Sequence, residues 1–591
     1  MKQETKTCQN CKNPFTIEPE DFQFYEKIKV PPPTWCPECR MVRRFTWRNV
    51  MTLYKRSCDL CKKEVFSIYS PDKPYVVYCP PCWWSDRWNA TEQAQEYDFS
   101  HPFFGQFSNL LHRTPLLSRF VMEDTMVNSD YTNMANNLND CYLVFVSRLC
   151  ERVSYSDNLM GVKDSLDLSY STKSELCYEC FNVHNSYGVR YSVDTTSCRD
   201  SYFLKNCVDC SHCFGCVNLR NKQYCIFNQQ YTKEEYAVRL HSLGFNPAST
   251  LSVEAFRERS RTFWQTAPVK YMHESHNADV SGDYVRNCKK THTSFFVENV
   301  EDSKYCAYLM FGGAVKESYD WHQYGDGGEL GYELLQCGNG IYGCRFGWGM
   351  WTEDKNLEYG VLNIGSSDCF GCVGIKKKQY CILNKQYSKE EYERLVPKII
   401  EQMSAVPYTD KRGRAYKYGE FFPSELSPFA YNESFAQDEF PLSKAEAESR
   451  GYQWNENVRP KHQTTKNAND LPDNIGDVSE TIIQEVISCS SCGRGYRITP
   501  SEFTFYSTQK IPLPKLCFFC RTVKRSANKN QHRLWPRKCQ CAGAKSENGV
   551  YANTIAHFHE NGRCPNEFET SYAPERPEIV YCEQCYNAEV A

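Results

Sequence analysis

Residues 8–40 read CQNCKNPFTIEPEDFQFYEKIKVPPPTWCPECR, with one pair of cysteines at each end. In each pair two residues separate the cysteines, and on a tight turn this spacing points both thiolates at one metal ion. Two further pairs of the same spacing follow in the chain. Because two pairs complete the tetrahedral four-sulfur shell that zinc prefers, two zinc sites are predicted, with the ligands Cys8, Cys11, Cys36 and Cys39, and Cys58, Cys61, Cys79 and Cys82.

The same cysteine pattern returns near the other end of the chain. Three of its spacings are identical in the two copies: from the first pair to the second, from the second pair to the next ligand, and from Cys61 or Cys564 to the last pair. One spacing is longer in the second copy, because Cys539 and Cys564 stand where Cys58 and Cys61 form a close pair. A loop held at both ends tolerates such an insertion. The second copy predicts two more sites, with the ligands Cys489, Cys492, Cys517 and Cys520, and Cys539, Cys564, Cys582 and Cys585.

The fourth of these sites lacks a clean cysteine pair. Cys541 lies close enough to Cys539 to replace it, and His557 or His559 could enter the ligand shell. Because Cys539 alone keeps the first copy's spacing from the preceding pair, we expect Cys541 not to be a ligand. The whole chain is therefore expected to hold about four zinc ions.

The sequences between the cysteines are also repeated. The first copy has PFTIEPEDFQFYEKIKVPPPTWCPECR and the second has GYRITPSEFTFYSTQKIPLPKLCFFCR. With these pairs and the shared Phe-x-Phe-Tyr, residues 8–44 and 489–525 resemble the small bacterial probable zinc-ribbon domain, which is of treble-clef type. The whole chain is similar to uncharacterised multi-cysteine zinc-binding proteins of environmental bacteria. These resemblances imply a zinc-ribbon fold at both ends and imply no activity.

Length and composition limit the class of protein. A chain of 591 residues is expected to form three or more domains, and a net charge of −3 excludes a polycation. No apolar run approaches about 18 residues, and the start MKQETKTCQNC has no signal-peptide core, so a cytoplasmic protein without a membrane partner is expected. For such a protein, 34 cysteines favour metal-bound or reduced thiols over disulfides.

A basic segment lies between the two sites of each terminal module. Residues 40–63 carry eight Lys and Arg against one acid, and residues 521–545 carry eight against none. Guanidinium groups suit bidentate phosphate contact, and the interleaved Trp47 and Trp535 could stack on bases. The alternative is a solvated face that keeps the module soluble. The pattern predicts nucleic-acid contact through Arg40, Arg43, Arg44, Arg48, Arg521, Lys524, Arg525 and Arg533.

The middle of the chain has neither helical periodicity nor long apolar strands. Aromatic residues instead recur about every 10 to 14 positions in residues 130–236 and 283–392, which is typical of stacked architectures. Two such steps give a β-solenoid coil of roughly 22 residues, with four or five coils in each half. The halves are duplicates, because residues 214–236 and 370–392 match at 16 of 23 positions.

Each solenoid half ends in a helix-start signal. Thr232 with Glu235, and Ser388 with Glu391, form capping boxes that predict helices covering the solenoid ends. The predicted fold is therefore mainly β and multidomain, with zinc-ribbon modules flanking a duplicated β-solenoid with helical caps. We divide the chain into a tandem zinc module (1–90), an aromatic connector (91–129), two solenoid halves (130–260 and 261–405), an extended wrap and linker (406–480), and a second tandem zinc module (481–591).

The solenoid cysteines have two interpretations. Cys207, Cys210, Cys213 and Cys216 are spaced by three, which resembles iron–sulfur ligation. In the duplicated half, however, Asn363 and Ser366 replace the first two of them. Buried thiols also behave as small hydrophobic groups, and we prefer this interpretation for these four residues and for Cys141, Cys177, Cys198, Cys225, Cys306 and Cys381.

The sequence favours a binding protein over an enzyme. Some β-solenoids cleave polysaccharides through clustered carboxylates, but solenoid acids are commonly turn residues. No acid and base pair with nucleophile spacing emerges from the candidates Asp164, Asp167, Asp194, Asp200 and Asp209. We therefore expect a zinc-binding, non-enzymatic protein that contacts nucleic acid or a nucleoprotein complex. The alternatives are a protein–protein scaffold and, third, a carbohydrate-active solenoid enzyme.

Overall fold

The computed structural model describes residues 2–310, 312–458, 462–560 and 562–590. The fold is mainly β, with a β-solenoid of about 21 turns in the middle, 24% helix, and cysteine clusters near both termini. The predicted fold class is therefore confirmed.

Residues 2–120 contain two antiparallel hairpins, β1–β2 and β3–β4. A helix that starts at a cysteine pair comes later in the chain after each hairpin, namely α2 after the first and α3 after the second. The elements are β1 (Glu4–Thr7), β2 (Pro14–Ile17), α1 (Pro19–Lys27), α2 (Pro37–Phe45), β3 (Tyr54–Ser57), β4 (Glu64–Ser67), β5 (Val77–Tyr78), α3 (Pro80–Trp84), a 3-10 helix (Ala90–Gln93), α4 (Phe103–Arg113) and β6 (Leu116–Leu117).

Residues 121–271 contain the first solenoid segment, whose strands pair in parallel from β7 to β12. The elements are a 3-10 helix (Glu123–Thr125), β7 (Met126–Val127), β8 (Thr132–Asn139), β9 (Tyr142–Met160), β10 (Lys163–Thr172), β11 (Tyr178–His184), β12 (Val193–Thr196), β13 (Cys225–Ile226), β14 (Gln229–Gln230), α5 (Lys233–Ser242), α6 (Thr250–Trp264) and β15 (Pro268–Lys270).

Residues 272–458 contain the second solenoid segment and the wrap that follows it. The elements are β16 (Glu274–Ser275), β17 (Ala278–Arg286), β18 (Lys289–Glu298), β19 (Val300–Lys304), β20 (Ala307–Leu309), β21 (Val315–Lys316), β22 (Tyr319–Gly325), β23 (Tyr332–Gly338), β24 (Arg345–Trp348), β25 (Lys355–Glu358), β26 (Ser367–Phe370), β27 (Cys381–Ile382), β28 (Lys385–Gln386), α7 (Lys389–Ala405), β29 (Tyr408–Thr409), β30 (Ala415–Tyr416), 3-10 helices (Ser424–Leu426 and Tyr431–Glu433), α8 (Phe435–Glu439) and α9 (Lys444–Ser449).

Residues 462–590 contain the second cysteine-rich module. The elements are β31 (Lys466–Asn467), 3-10 helices (Ala468–Asp470, Ile475–Asp477 and Glu480–Gln484), β32 (Ile487–Ser488), β33 (Gly495–Tyr496), α10 (Pro500–Gln509), α11 (Phe518–Ser526), β34 (Trp535–Lys538), β35 (Glu567–Thr570), β36 (Ile579–Tyr581) and α12 (Glu583–Val590). Strand β36 pairs in parallel with β15.

The chain divides into two compact units. One unit consists of Met1–Phe120, Met272–Val458 and His532–Leu534, and the other of Val121–Tyr271, Arg459–Gln531 and Trp535–Ala591. The N-terminal cysteine-rich module therefore shares a unit with the second solenoid segment. The C-terminal module shares a unit with the first.

The solenoid coil is about half as long as the sequence predicted. In the first segment Lys163 pairs in parallel with Glu175, and Glu175 pairs with Tyr187 one coil further on. In the second segment the step is also 12 residues where Lys355 pairs with Ser367, and it is one position longer where Tyr319 pairs with Tyr332. The aromatic spacing therefore marks a whole coil and not half of one.

Left-handed residues make so short a coil possible. Along β10 and β11 every third residue has a positive φ, with Tyr170 at 56°, Lys173 at 47°, Leu176 at 53° and Glu179 at 51°. A residue in this region turns the chain sharply, and residues other than glycine rarely adopt this conformation. Each coil of the first segment thus has four corners, which recur at every third position.

Cysteine and serine line the narrow interior of the first segment. The buried core residues occur every third position, including Cys177, Cys180 and Val183. The Cys177 thiol donates to the Glu175 carbonyl at 3.4 Å, and its amide donates to Ser165 Oγ of the preceding coil at 3.1 Å. Small side chains therefore fill the core and satisfy the backbone groups that point into it.

Aromatic ladders and helical caps complete the solenoid. The rings of Tyr284 and Phe296 stack at 4.3 Å between centroids, and Phe296 stacks on Tyr308 at 5.4 Å. Helix α5 begins at the Thr232 capping box and α7 at the Ser388 capping box, as the sequence predicted.

Candidate metal centres

The first cysteine group is built from a hairpin turn and a helix start. Cys8 and Cys11 lie in the turn between β1 and β2, where the Lys12 amide donates to the Cys8 carbonyl at 3.0 Å. Lys12 has a φ of 64°, which lets the turn close around the two thiolates. Cys36 is the N-cap of α2, and Cys39 lies in its first turn. The positive end of the helix dipole therefore faces the thiolates.

The structure brings all sixteen predicted cysteines together in the four predicted sets, and within each set the sulfur atoms lie within 4.8 Å of one another. Two sulfurs bound to one tetrahedral zinc, each at about 2.3 Å, are about 3.8 Å apart. The corresponding sulfur pairs are separated by nearly this distance: Cys11–Cys36 3.8 Å, Cys61–Cys79 3.9 Å, Cys492–Cys517 3.7 Å and Cys564–Cys582 3.8 Å.

The four groups also share a hydrogen bond to sulfur. In each group the amide of the third cysteine donates to the thiol of the first: Cys36 to Cys8 at 3.3 Å, Cys79 to Cys58 at 3.3 Å, Cys517 to Cys489 at 3.3 Å and Cys582 to Cys539 at 3.2 Å. Burial alone would raise the pKa of the Cys58 thiol, but backbone N–H donors lower it to about 7, and the same balance gives a pKa of about 7 for Cys489. The backbone donors therefore favour the thiolate form, which is the form that binds metal, at the first cysteine of these two groups.

The insertion leaves the fourth group intact. The Cys539 amide donates to the Asn566 carbonyl at 2.9 Å, just as the Cys58 amide donates to the carbonyl of Lys63 at 2.9 Å. Both acceptors lie two positions beyond the second ligand of their group. The spacing therefore identified Cys539, and not Cys541, as the member of this set.

Cys541 was expected not to be a ligand, but it belongs to a fifth group of residues that could hold a metal ion, which the sequence did not predict. Its thiol lies with His557, His559 and Cys585, and the four ligand atoms are within 4.8 Å of one another. The two histidines and Cys541 all come from the insertion. Five cysteine-rich groups among the described residues could thus hold metal ions.

The arginines of α2 point into their own unit. Arg44 Nη2 lies 2.7 Å from Asp320 Oδ1, and Arg44 Nη1 lies 2.7 Å from Glu333 Oε2. Arg43 Nη2 lies 2.7 Å from the other oxygen of Glu333, and Arg40 Nε donates to Asp320 Oδ2 at 2.9 Å. All five side chains are at most 1% exposed. The helix is thereby fixed to the solenoid strands β22 and β23.

The arginines of α11 repeat this arrangement in the other unit. Arg521 Nη1 lies 2.5 Å and Arg525 Nη1 2.6 Å from the two carboxylate oxygens of Asp167, which is fully buried in the solenoid. Arg525 Nη2 also donates to the Tyr155 carbonyl at 2.9 Å. Both modules therefore present a pair of guanidinium groups to one solenoid carboxylate.

This geometry corrects the expectation that these guanidinium groups face outward for phosphate contact. Six of the eight candidates are buried, namely Arg40, Arg43, Arg44, Arg48, Arg521 and Arg525. Arg48 packs over the Phe435 ring, with its guanidinium carbon 4.5 Å from the centroid. Lys524 is partly exposed and pairs with Glu254 at 3.2 Å, and Arg533 is exposed. A charge run in sequence does not distinguish a solvated face from a buried ion-pair network.

Two other candidate clusters have structural explanations. The thiols of Cys207, Cys210, Cys213 and Cys216 lie in the solenoid core, and each donates to the carbonyl two positions before it. The candidate acids all lie at left-handed corners of the coil: Asp164, Asp167, Asp194, Asp200 and Asp209. Asp167 is committed to two arginines, and Asp164 pairs with Arg152 at 2.5 Å.

The partners of the buried arginines were missed by sequence reasoning. Arg44 is 276 positions from Asp320 and 289 positions from Glu333, so no local pattern connects them. One signal was available, because Arg40, Arg43 and Arg44 are spaced i, i+3 and i+4 and so occupy one face of a helix.

Comparisons with known proteins add little. No protein-family model matches the chain, and no curated protein does. Among 16 matching solved chains is a putative acetyltransferase from Desulfovibrio desulfuricans G20, which covers 49% of this chain and 85% of its own. At 9% identity and a TM-score of 0.09, this likeness carries no argument. In the described part of the chain, no helix has the length and apolar character that crossing a membrane requires.

Proposed function

We propose that this protein is a non-enzymatic scaffold, a β-solenoid whose two segments are each locked to a zinc-stabilised module. The observation that carries the proposal is the position of the arginines on α2 and α11. Each helix supplies two cysteines from its start and, one turn later, guanidinium groups that are buried against solenoid carboxylates. The metal thus orders the helix that holds the solenoid.

The ligand chemistry supports zinc in a structural role. Four sets of four cysteines with tetrahedral sulfur separations match the closed sites that zinc occupies in treble-clef and zinc-ribbon modules. A closed set of four protein ligands leaves no coordination position for a substrate. We therefore assign the predicted zinc ions to folding, in a protein that we continue to expect in the cytoplasm.

The buried charges support a specific docking arrangement. Glu333 pairs with two guanidinium groups, and Asp167 pairs with two in the other unit. Each oxygen of each carboxylate therefore contacts one arginine. Buried ion pairs contribute little net stability over apolar contacts, but an unpaired member is strongly destabilising. The network therefore selects one docking position of the helix.

A binding assay separates the scaffold from the nucleic-acid alternative. Six of the eight candidate cations are buried, so the two to neutralise are Lys524 and Arg533. For a scaffold, the variant Lys524→Gln with Arg533→Gln should have the same affinity for single-stranded RNA as the parent. Fluorescence anisotropy over a salt series measures this. The matched control is Lys289→Gln with Lys316→Gln, which removes two solvent-exposed lysines from the solenoid.

Nucleic-acid binding would be supported by a different pattern. The parent would bind RNA at low salt, and the Lys524 and Arg533 variant would lower the salt slope by about 0.7 for each lost phosphate contact. The control variant would keep the parent's slope. That result would overturn the scaffold proposal.

A further inference from the structure

The insertion in the second module carries its own set of metal ligands. It lies between Cys539 and Cys564 and has no counterpart in the first module, where Cys58 and Cys61 form a close pair. One antiparallel bridge joins Cys541 to Ser546, a second joins Lys545 to Ala552, and the Cys564 amide donates to the Cys541 carbonyl at 3.0 Å. The insertion is thus anchored directly beside the fourth cysteine group.

The ligand atoms of the insertion converge on Cys585. Cys541 Sγ lies 3.1 Å from His557 Nδ1, and His559 Nε2 lies 3.3 Å from Cys585 Sγ. Cys541, His557 and Cys585 are buried, and His559 is half-buried. Two cysteines and two histidines at these separations form a ligand set that suits zinc.

Both histidines are oriented by their second ring nitrogen. His557 Nε2 lies 2.9 Å from Glu589 Oε1, and His559 Nδ1 lies 2.9 Å from the Gly562 carbonyl. A carbonyl or carboxylate at this nitrogen holds its proton and leaves the lone pair on the other nitrogen, which faces the cluster. This pairing is typical of histidines that bind metal, and it occurs at both His557 and His559.

Side-chain amides also donate hydrogen bonds to sulfur atoms of both groups. The Asn553 side chain donates to Cys541 Sγ at 3.1 Å, and its own carbonyl oxygen accepts from the Tyr581 hydroxyl at 2.8 Å. On the other side, the Asn566 side chain donates to Cys582 Sγ at 3.3 Å. Amide donors therefore stabilise negative charge on the sulfurs of both groups.

We infer that the two groups form one dinuclear metal centre in which the Cys585 thiolate bridges two zinc ions. Cys585 is the member that both groups share. One ion takes Cys539, Cys564, Cys582 and Cys585, and the other takes Cys541, His557, His559 and Cys585. Five thiolates around two divalent ions carry less net negative charge than four thiolates around one. The inference rests on the proposed zinc in the fourth group and adds a fifth ion to the full chain.

Native mass spectrometry of the full chain tests the stoichiometry. The parent should carry five zinc ions, and Cys541→Ser and His557→Ala should each carry four. The matched control is Cys198→Ser, a buried solenoid cysteine outside every ligand group, which should keep all five. Four ions in both the parent and Cys541→Ser would overturn the inference and leave the proposed function standing. Two ions or fewer in the parent would overturn both.

Cobalt substitution tests the bridge. Two cobalt ions that share one thiolate couple antiferromagnetically, and the pair then gives no paramagnetic resonance. The fully loaded parent should therefore show a signal from only three of its five cobalt ions. Cys541→Ser should show it from all four. Full intensity from five separate ions in the parent would mean that Cys585 binds only one of them, and would contradict the bridge.

The carboxylate behind His557 gives a graded test. Glu589→Gln should weaken binding of the fifth ion about 10- to 100-fold and leave the other four in place. Competition with a metal chelator measures this. The control on the same helix is Glu583→Gln, whose side chain is exposed and pairs with Lys270 at 2.8 Å. Equal affinities in the two variants would contradict a metal at His557.

Discussion

Replacing Cys36 with serine should remove the metal from the first cysteine group and unfold the N-terminal module. Cys36 is a candidate ligand, 3.8 Å from Cys11 Sγ, and stands at the N-cap of α2, a position that serine also suits, so the variant tests the metal alone. Structural zinc in small modules contributes about 10 kcal/mol or more to folding, which exceeds what so small a core supplies. Native mass spectrometry should show one ion fewer, and hydrogen exchange should show α2 unprotected.

The control for this variant is Cys306→Ser. Cys306 is a buried cysteine of the same unit, and its thiol donates to the Lys304 carbonyl at 3.7 Å. Serine can make the same hydrogen bond, so the variant should keep its metal and its fold. If Cys36→Ser keeps α2 as protected as the control does, the metal has no structural role in this module.

Replacing Glu333 with glutamine should destabilise the unit that contains the N-terminal module by about 3–5 kcal/mol. Glu333 receives Arg43 and Arg44, each at 2.7 Å, and all three side chains are fully buried. An amide cannot neutralise the two cations, which would keep only Glu420 (for Arg43) and Asp320 (for Arg44) as charged partners away from water. Denaturant unfolding measures the free energy, and the zinc content in native buffer should not change.

Glu301→Gln is the matched control for Glu333. Glu301 is also a solenoid glutamate that pairs with two cations, Lys289 at 3.3 Å and Lys316 at 3.4 Å, but it is solvent-accessible. Its replacement should cost at most about 1 kcal/mol. Equal losses in the two variants would show that the buried network does not hold the module.

The four cysteine groups that could hold metal were predictable from sequence because their spacing is local. Paired cysteines at fixed spacing, repeated in two copies, identify Cys8 or Cys489 as candidate ligands without knowledge of the fold. The fifth group was missed because His557 and His559 follow no repeated spacing. The two histidines form a candidate site only together with Cys585, which lies outside the insertion and comes close to it only in the folded chain.

The aromatic spacing equals the coil length, but it was doubled in the prediction because the cause of so short a coil leaves a weak mark in the sequence. Residues as different as Tyr170, Leu176 and Asp167 occupy left-handed corners. Aspartate and asparagine tolerate this conformation better than most residues, so the acids considered for catalysis were in fact corner signals. The spacing of three between Cys207 and Cys210 is likewise the period of the coil and not a ligand spacing.

The association of each module with a particular solenoid half could not be predicted either. Arg44 and Glu333 are 289 positions apart, and Arg525 and Asp167 are 358 apart. Nothing near either arginine in the sequence identifies its partner. Only the fold brings the N-terminal module to the second half and the C-terminal module to the first.

Hydrogen exchange of the full chain, with and without a zinc chelator, tests the central claim that metal locks the modules to the solenoid. Chelation should remove protection from α2 and α11 and from the strands that carry their partners Asp320, Glu333 and Asp167, while solenoid coils such as β17 and β18 should stay protected. Full protection of α2 and α11 after complete removal of the metal would contradict it.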